Sequence, residues 1–239
     1  MHISRVVIKN FRNLENIDVT LCAGITTVIG ENNTGKTNFL HAIRLVLDSD
    51  LPGFMRRLSP SDVHESVASA HPFHVLISVE LSDFEKSAEE SAFAGFFKVE
   101  EDLARLTFRF RPNPKVRDEL STDEIKASDL TYDHYRWEIC GGGIQDPALI
   151  EWSDDVGRSI RFSDLGDFIV GFLHALRDAA SDLKSHGSPL RRLLRTLNIP
   201  ASEQQSLLAV MKSANDTIAS TSTIKNVGEV LHKRLAKTA

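Results

Sequence analysis

Residues 28–38 read V-I-G-E-N-N-T-G-K-T-N, so that Gly30, four further residues and Gly35-Lys36-Thr37 follow in order. This is the spacing G-x-x-x-x-G-K-[ST], whose chemistry is the holding of phosphate groups. Gly30 and Gly35 let the backbone wind so that successive N–H groups, those of Asn32, Asn33 and Thr34 among them, point at phosphate oxygens. The helix that must begin near Lys36 and take in Asn38 adds the positive end of its dipole. Lys36 is the residue to bridge the outer two phosphates as a point charge. The Thr37 hydroxyl is the candidate metal ligand, an oxygen of the kind Mg²⁺ prefers. ATP and Mg²⁺ are therefore the expected cofactors. Four residue restrictions at fixed spacing arise by accident in about one chain of this length in a hundred, so the pattern is specific.

Such a loop needs a strand before it and a helix after it, and the sequence predicts both. Ile25-Thr26-Thr27-Val28-Ile29 is mostly β-branched and reads as a buried strand. From Thr37, the spacing of Phe39, Leu40, Ile43, Leu45, Val46 and Leu47 predicts a helix of about three turns. Upstream, residues 2–10 read as a strand, Phe11 to Leu14 as a turn, and Ile17 to Leu21 as a second strand pairing back on the first. Downstream, residues 73–82 alternate as a half-exposed strand. Leu103 to Phe110, Tyr135 to Cys140 and Ala148 to Trp152 repeat that character, which predicts an antiparallel meander. Residues 112–129, rich in Pro, Asp, Lys and Glu, read as a surface excursion. Beyond Asp164 the texture is helical, with starts near Phe168, Ser188, Ala201 and Thr223. The fold class is α/β, with an N-terminal lobe over 1–197 and a helical arm over 198–239. On the arm, Ile224, Val227, Leu231 and Leu235 form an apolar stripe suited to pairing.

Composition bounds the setting. A net charge of −5 excludes a surface that attracts polyanions everywhere, so any nucleic-acid contact needs a local basic patch. Arg191, Arg192 and Arg195 share one helix but read first as a solvated face. Cys22 and Cys140 have no metal-ligand spacing and read as two reduced thiols of a cytoplasmic protein. No stretch approaches the ~20 apolar residues of a membrane span, so no membrane partner is expected.

The segments V-V-I-K-N-F-R-N-L and V-I-G-E-N-N-T-G-K-T-N-F-L-H-A-I-R-L-V-L-D together resemble the N-terminal lobe of ABC-type ATPase heads of the SMC and RecF group. Within that group the chain is most similar to the OLD-family nucleases, which include the nuclease subunits of Gabija anti-phage systems. L-S-P-S-D-V-H, F-H-V-L-I-S-V-E-L-S-D-F-E and F-L-H-A-L-R-D-A-A-S-D-L-K add to the likeness. The resemblance implies that Arg12 lies beside the nucleotide phosphates, with Asn13 as a nearby polar contact. It also implies a homo-oligomer with an even number of heads, DNA as a partner of the full-length protein, and a possible second subunit such as a helicase.

Other parts of such a head are not found in the sequence. A Walker-B strand would end in Asp-Glu. Only V-L-I-S-V-E-L comes near, and Glu80 reads first as an exposed strand residue. Asp62 is the other weak catalytic candidate, and reads first as a cap or loop carboxylate. Gly141-Gly142-Gly143 reads as a loop between strands rather than a signature motif, because Asp146-Pro147 follows where a helix should begin. Asp154-Asp155 reads as a polar loop pair, and His71 and His74 as structural. The expectation is an N-terminal portion of an ATP-regulated nuclease or half of a split product. The alternatives are a non-hydrolysing nucleotide-binding scaffold and a RecF- or SMC-like DNA-repair head.

Overall fold

The computed structural model describes residues 1–49, 51–165 and 170, together with 203, 205, 206, 209, 210, 212 and 213. The chain divides into two units, Met1–Asp178 and Ala179–Ala239. In the first, the strands are β1 (His2–Phe11), β2 (Leu14–Thr20), β3 (Val75–Ser82), β4 (Lys98–Glu100), β5 (Leu103–Pro112), β6 (Tyr135–Gly141) and β7 (Arg158–Ser159). Among the described residues of this unit the helices are α1 (Lys36–Leu47), α2 (Ala88–Gly95) and α3 (Pro114–Ser121). The strands form one antiparallel sheet in the order β2-β1-β3-β5-β6-β7, with β4 beside the start of β5. The predicted meander is therefore present.

Period-2 side-chain alternation gives this sheet two faces. Ile8, Ile77, Phe108 and Ile139 lie in register across four strands. With Val6, Val79 and Leu106 they form the core against Ala42, Leu45 and Val46 of α1. On the other face, Val7 and Leu76 pack under Ile150 and Val156. Here the segment 143–156 folds back over the sheet. Arginines from β5 hold it down by donating to its carbonyls. Arg105 reaches Gly143 and Gln145 at 2.6 and 2.7 Å, and Arg109 reaches Asp154 and Glu151 at 2.5 and 2.8 Å. Arg111 reaches Asp154 at 2.6 Å. Burial and the neighbouring Arg111 lower the Arg109 guanidinium to about 10, which leaves it charged at neutral pH.

Several expectations are corrected. β3 is not half-exposed: Val75 to Leu81 are all buried, because α1 covers one face and residues 143–156 the other. The polar positions that suggested exposure are paired instead, Ser78 with Thr107 at 3.0 Å and Glu80 with Arg105 at 2.8 Å. Residues 25–29 are neither a strand nor buried: Ile25 is fully exposed and Ile29 is 89% exposed. No described strand lies alongside to give their backbone a hydrogen-bonding partner. Ala148 to Trp152 is not a strand either. A single 3-10 turn over Pro147–Leu149 starts it, and the carbonyls of 150–152 are taken by Lys9, Arg109 and Arg111 rather than by a strand. The excursion 112–129 contains α3, where Asn113 caps and Pro114 occupies the first turn.

In the second unit, Glu203, Gln205, Ser206, Ala209, Val210, Lys212 and Ser213 are helical and exposed, within the span expected for the third late helix. The stripe at 224, 227, 231 and 235, Arg191, Arg192 and Arg195, and the boundary at 197/198 lie outside the described residues. Among the described residues no helix is long and apolar enough to cross a membrane.

Candidate functional site

The phosphate-loop residues occupy the turn into α1. Gly35 stands at the helix N-cap with φ 101°, in the left-handed region where glycine carries no Cβ penalty. A Cβ there would sit 2.8 Å from Leu14 Cδ2 and 3.0 Å from the Asn13 amide. Gly30 is similarly constrained, since a Cβ would meet Thr34 Oγ1 at 2.9 Å. Asn33 adopts φ 66°, so the loop curls twice within three residues. Thr34 Oγ1 ties it internally by donating to the Glu31 carbonyl at 2.9 Å. No described side chain caps the first turn of α1, and that turn holds no acidic residue, so its N–H groups and dipole are available to an anion.

Lys36 folds back over the loop and donates to the carbonyls of Gly30 and Glu31 at 2.6 and 2.5 Å. Asn13, Asn32, Asn33, Gly35, Lys36, Thr37 and Asn38 line an open cleft of about 700 Å³. The far end of α1 is anchored just as firmly. Buried Arg56 donates to the carbonyls of Leu45, Asp48 and Leu51, which places a cation at the negative end of the helix dipole. Burial lowers Arg56 to about 10, so it too remains charged.

The β1–β2 hairpin tip docks on this loop. Phe11 pairs with Leu14, which leaves Arg12 and Asn13 as its two loop residues. Asn13 Nδ2 donates to the Asn33 carbonyl at 3.3 Å, and Asn38 Nδ2 donates to Asn13 Oδ1 at 2.7 Å. Arg12 Nη1 donates to Asn38 Oδ1 at 3.0 Å. The structure thus brings Arg12, Asn13 and Asn38 together around the loop.

The two weak catalytic candidates are placed elsewhere or already engaged. Glu80 projects from the sheet face opposite α1 and is 6% exposed, not the exposed strand residue expected. Asp62 lies near the hairpin tip at the end of a 3-10 turn, Pro60–Asp62. Its Oδ1 accepts from Arg12 Nε at 3.0 Å, and its Oδ2 accepts from the Ser59 amide and hydroxyl at 3.0 and 2.7 Å. Burial alone would raise this carboxyl, but the Ser59 donors and the Arg12 guanidinium outweigh it and hold it below its ordinary value. Ser59 was missed in the sequence, although S-x-x-D is the spacing of a reciprocal helix-start contact. Asp154 accepts from Gln145 and from the Glu151 amide, and Asp155 pairs with Arg111. His71 shares a hydrogen bond with the Tyr135 hydroxyl at 2.8 Å, while His74 is buried on the second face. No group of three or more potential metal-ligating side chains occurs among the described residues.

Several known proteins are similar to this chain. The endonuclease GajA of Bacillus cereus (strain VD045) is 35% identical over 89 residues, which is 37% of this chain and 15% of GajA. The DNA replication and repair protein RecF of Salmonella arizonae is 49% identical over 43 residues, or 18% of this chain and 12% of RecF. The chain thus matches only a small part of either protein. A solved chain described as "Structural biochemistry of ATP-driven dimerization and DNA stimulated activation of SMC ATPases" aligns over 81% of this chain and 96% of its own. Its identity is 17% and its TM-score 0.42, a level at which the likeness adds nothing to the assignment. The assignment rests on a family model described as "AAA ATPase domain", which matches residues 1–136. That match spans more than half of the 239 residues and takes in both the docked hairpin and the phosphate loop, and on it the chain belongs to the AAA ATPase domain family.

Proposed function

We propose that this chain is the ATP-binding part of an OLD-like, ATP-regulated DNA endonuclease acting in anti-phage defence in the cytoplasm. The observation that carries the reading is the loop itself: left-handed Gly35, an uncapped helix start and Lys36 surround one open cleft. The residues present fit ATP with Mg²⁺. A Cβ at either glycine would press on the chain's own side chains, Thr34 at Gly30 and Leu14 and Asn13 at Gly35, so glycine lets the loop close into a curl suited to turning successive N–H groups toward phosphate oxygens. Lys36 would exchange its two carbonyl partners for the outer phosphates. Thr37 would hold Mg²⁺, which supplies charge neutralisation to the phosphates when bound. The similarity to GajA, named an endonuclease, supports the nuclease context. Homo-oligomers with an even number of heads, DNA and a second subunit such as a helicase belong to the same proposal.

A second reading is a head that binds nucleotide but turns it over slowly or not at all. It is favoured by the engagement of Asp62 with Arg12 and Ser59 and of Glu80 with Arg105. Phosphoryl transfer to water needs a positioned water and donors on the far side of the γ-phosphate. In the first reading those groups come from another lobe or protomer, and in the second they are not supplied. The match to RecF, named a replication and repair protein, makes a DNA-repair head the third reading.

Calorimetry with a non-hydrolysable ATP analogue tests the binding site. Lys36→Ala removes one charge-assisted contact, so affinity should fall about ten- to hundredfold while the fold persists. Unchanged affinity in folded Lys36→Ala protein rules the site out. Phosphate release by the 239-residue chain should stay near background, and steady turnover that disappears in Lys36→Ala would refute the half-site reading.

A further inference from the structure

We infer that Asp62 is a positioning residue for nucleotide binding, acting through Arg12. The inference rests on the reading that the loop binds nucleotide phosphates. Arg12 occupies the first position of a two-residue hairpin loop with φ 50°, a left-handed conformation that glycine adopts most cheaply. A non-glycine residue there carries a conformational cost, and the surroundings over-determine it.

Residue 62 grips Arg12 twice. The Arg12 amide donates to the Asp62 carbonyl at 2.9 Å, and Arg12 Nε donates to Asp62 Oδ1 at 3.0 Å. The neighbouring chain reinforces the grip, because Val63 bridges Phe11 and the His64 amide donates to the Asn10 carbonyl at 2.9 Å. Asp62 itself cannot swing, since its other oxygen is held by Ser59. From the opposite side, Arg12 Nη1 is fixed on Asn38, which lines the cleft. The guanidinium also lies 5.1 Å from the Phe11 ring centroid. The segment 59–64 therefore works as a clamp that presets a second cation beside the phosphate loop, so that little ordering of Arg12 remains when an anion arrives.

The sign of the effect separates positioning from simple charge. A carboxylate near an anion site weakens anion binding through its field alone, so removing it should tighten binding. Positioning predicts the reverse. Binding of a non-hydrolysable ATP analogue is measured by calorimetry for the wild-type chain, Asp62→Ala, Asp62→Glu, Arg12→Ala and Arg12→Ala/Asp62→Ala, with Lys36→Ala alongside. Asp62→Ala should weaken binding about tenfold, and Asp62→Glu should recover part of the loss. In the Arg12→Ala background, removing Asp62 should cost nothing further. Tighter binding in Asp62→Ala, unchanged binding, or a full additional loss in the double variant would overturn the inference. If Lys36→Ala binds as tightly as wild type, it is the phosphate-site reading that falls. Hydrogen exchange without nucleotide provides a second check. Asp62→Ala should speed exchange of the Arg12 Nε–H, which loses its acceptor, while the amides of β3 stay protected, and an equally protected Nε–H would also overturn the clamp.

Discussion

Replacing Glu80 by alanine removes one half of an ion pair that both partners hold almost out of water, with side-chain exposures of 8% for Glu80 and 5% for Arg105. Two Arg105 nitrogens donate to Glu80 Oε1 at 3.0 and 2.8 Å, and Arg5 approaches the same oxygen at 3.6 Å. Losing one partner of a buried pair costs about 3–5 kcal/mol, because the other charge is left without compensation. Arg105 would keep its bonds to the carbonyls of Gly143 and Gln145, which places the expected loss at the lower end, about 3 kcal/mol. For a domain of this size that corresponds to a fall in Tm of about 6–12 °C. Thermal and urea unfolding followed by circular dichroism measure it, with analogue binding recorded below the transition. A Glu80→Leu/Arg105→Met double variant should recover only part of the loss, since Arg105 also holds the 143–156 segment on the sheet. If Glu80→Ala unfolds like wild type and instead loses analogue binding, the assignment of Glu80 to the fold rather than to the nucleotide site is wrong.

Two further perturbations follow from the same geometry. Gly35→Ala places a Cβ in the left-handed region, which costs about 1–2 kcal/mol, and pushes it against Leu14 and Asn13; chemical unfolding should show the loss and calorimetry a weakened analogue affinity. His74 should give the folded state an acid-sensitive limb. Burial, with Arg109 and Lys9 adding to it, lowers its imidazole to about 3, so the folded protein keeps it neutral while the unfolded chain takes up a proton below about 6.5. Stability from this group is complete above that value and is lost as pH falls from about 6.5 toward 3, at up to about 1.4 kcal/mol per pH unit. Urea midpoints at pH 7 and pH 5 should therefore differ, and His74→Gln should bring them together. Equal midpoints in the wild-type protein would refute the buried neutral assignment.

How far the sequence alone reaches depends on where each residue's partner comes from. The phosphate loop, α1 and the β1–β2 hairpin were legible because their signals are local: fixed glycine spacing, helical periodicity and strict alternation. Pairing across the sheet was not. Glu80 and Ser78 look solvent-facing in sequence, and only the register with Arg105 and Thr107 shows why they are buried. The same holds for 148–152, whose alternation suggested a strand, although arginines 40 or so residues upstream claim its carbonyls. Residues 25–29 fail in the opposite sense. Their composition asks for burial, but among the described residues nothing lies alongside to provide it. For Asp62, the cap or loop role was legible, but neither its partner Ser59, three residues away, nor its bond to Arg12, 50 residues away, was.

The bare run Ile25-Thr26-Thr27-Val28-Ile29 has a practical consequence for anyone handling the protein in solution. It is uncharged, free of proline, rich in β-branched residues and exposed throughout. Those are the features of a segment that recruits identical copies into stacked, intermolecular β-structure. Losses on concentration or mild warming should therefore begin at this run while the sheet of β1, β3, β5 and β6 is still intact. A gatekeeping lysine in place of Thr27 should raise the concentration at which the chain stays dispersed, without touching the glycines and lysine that follow.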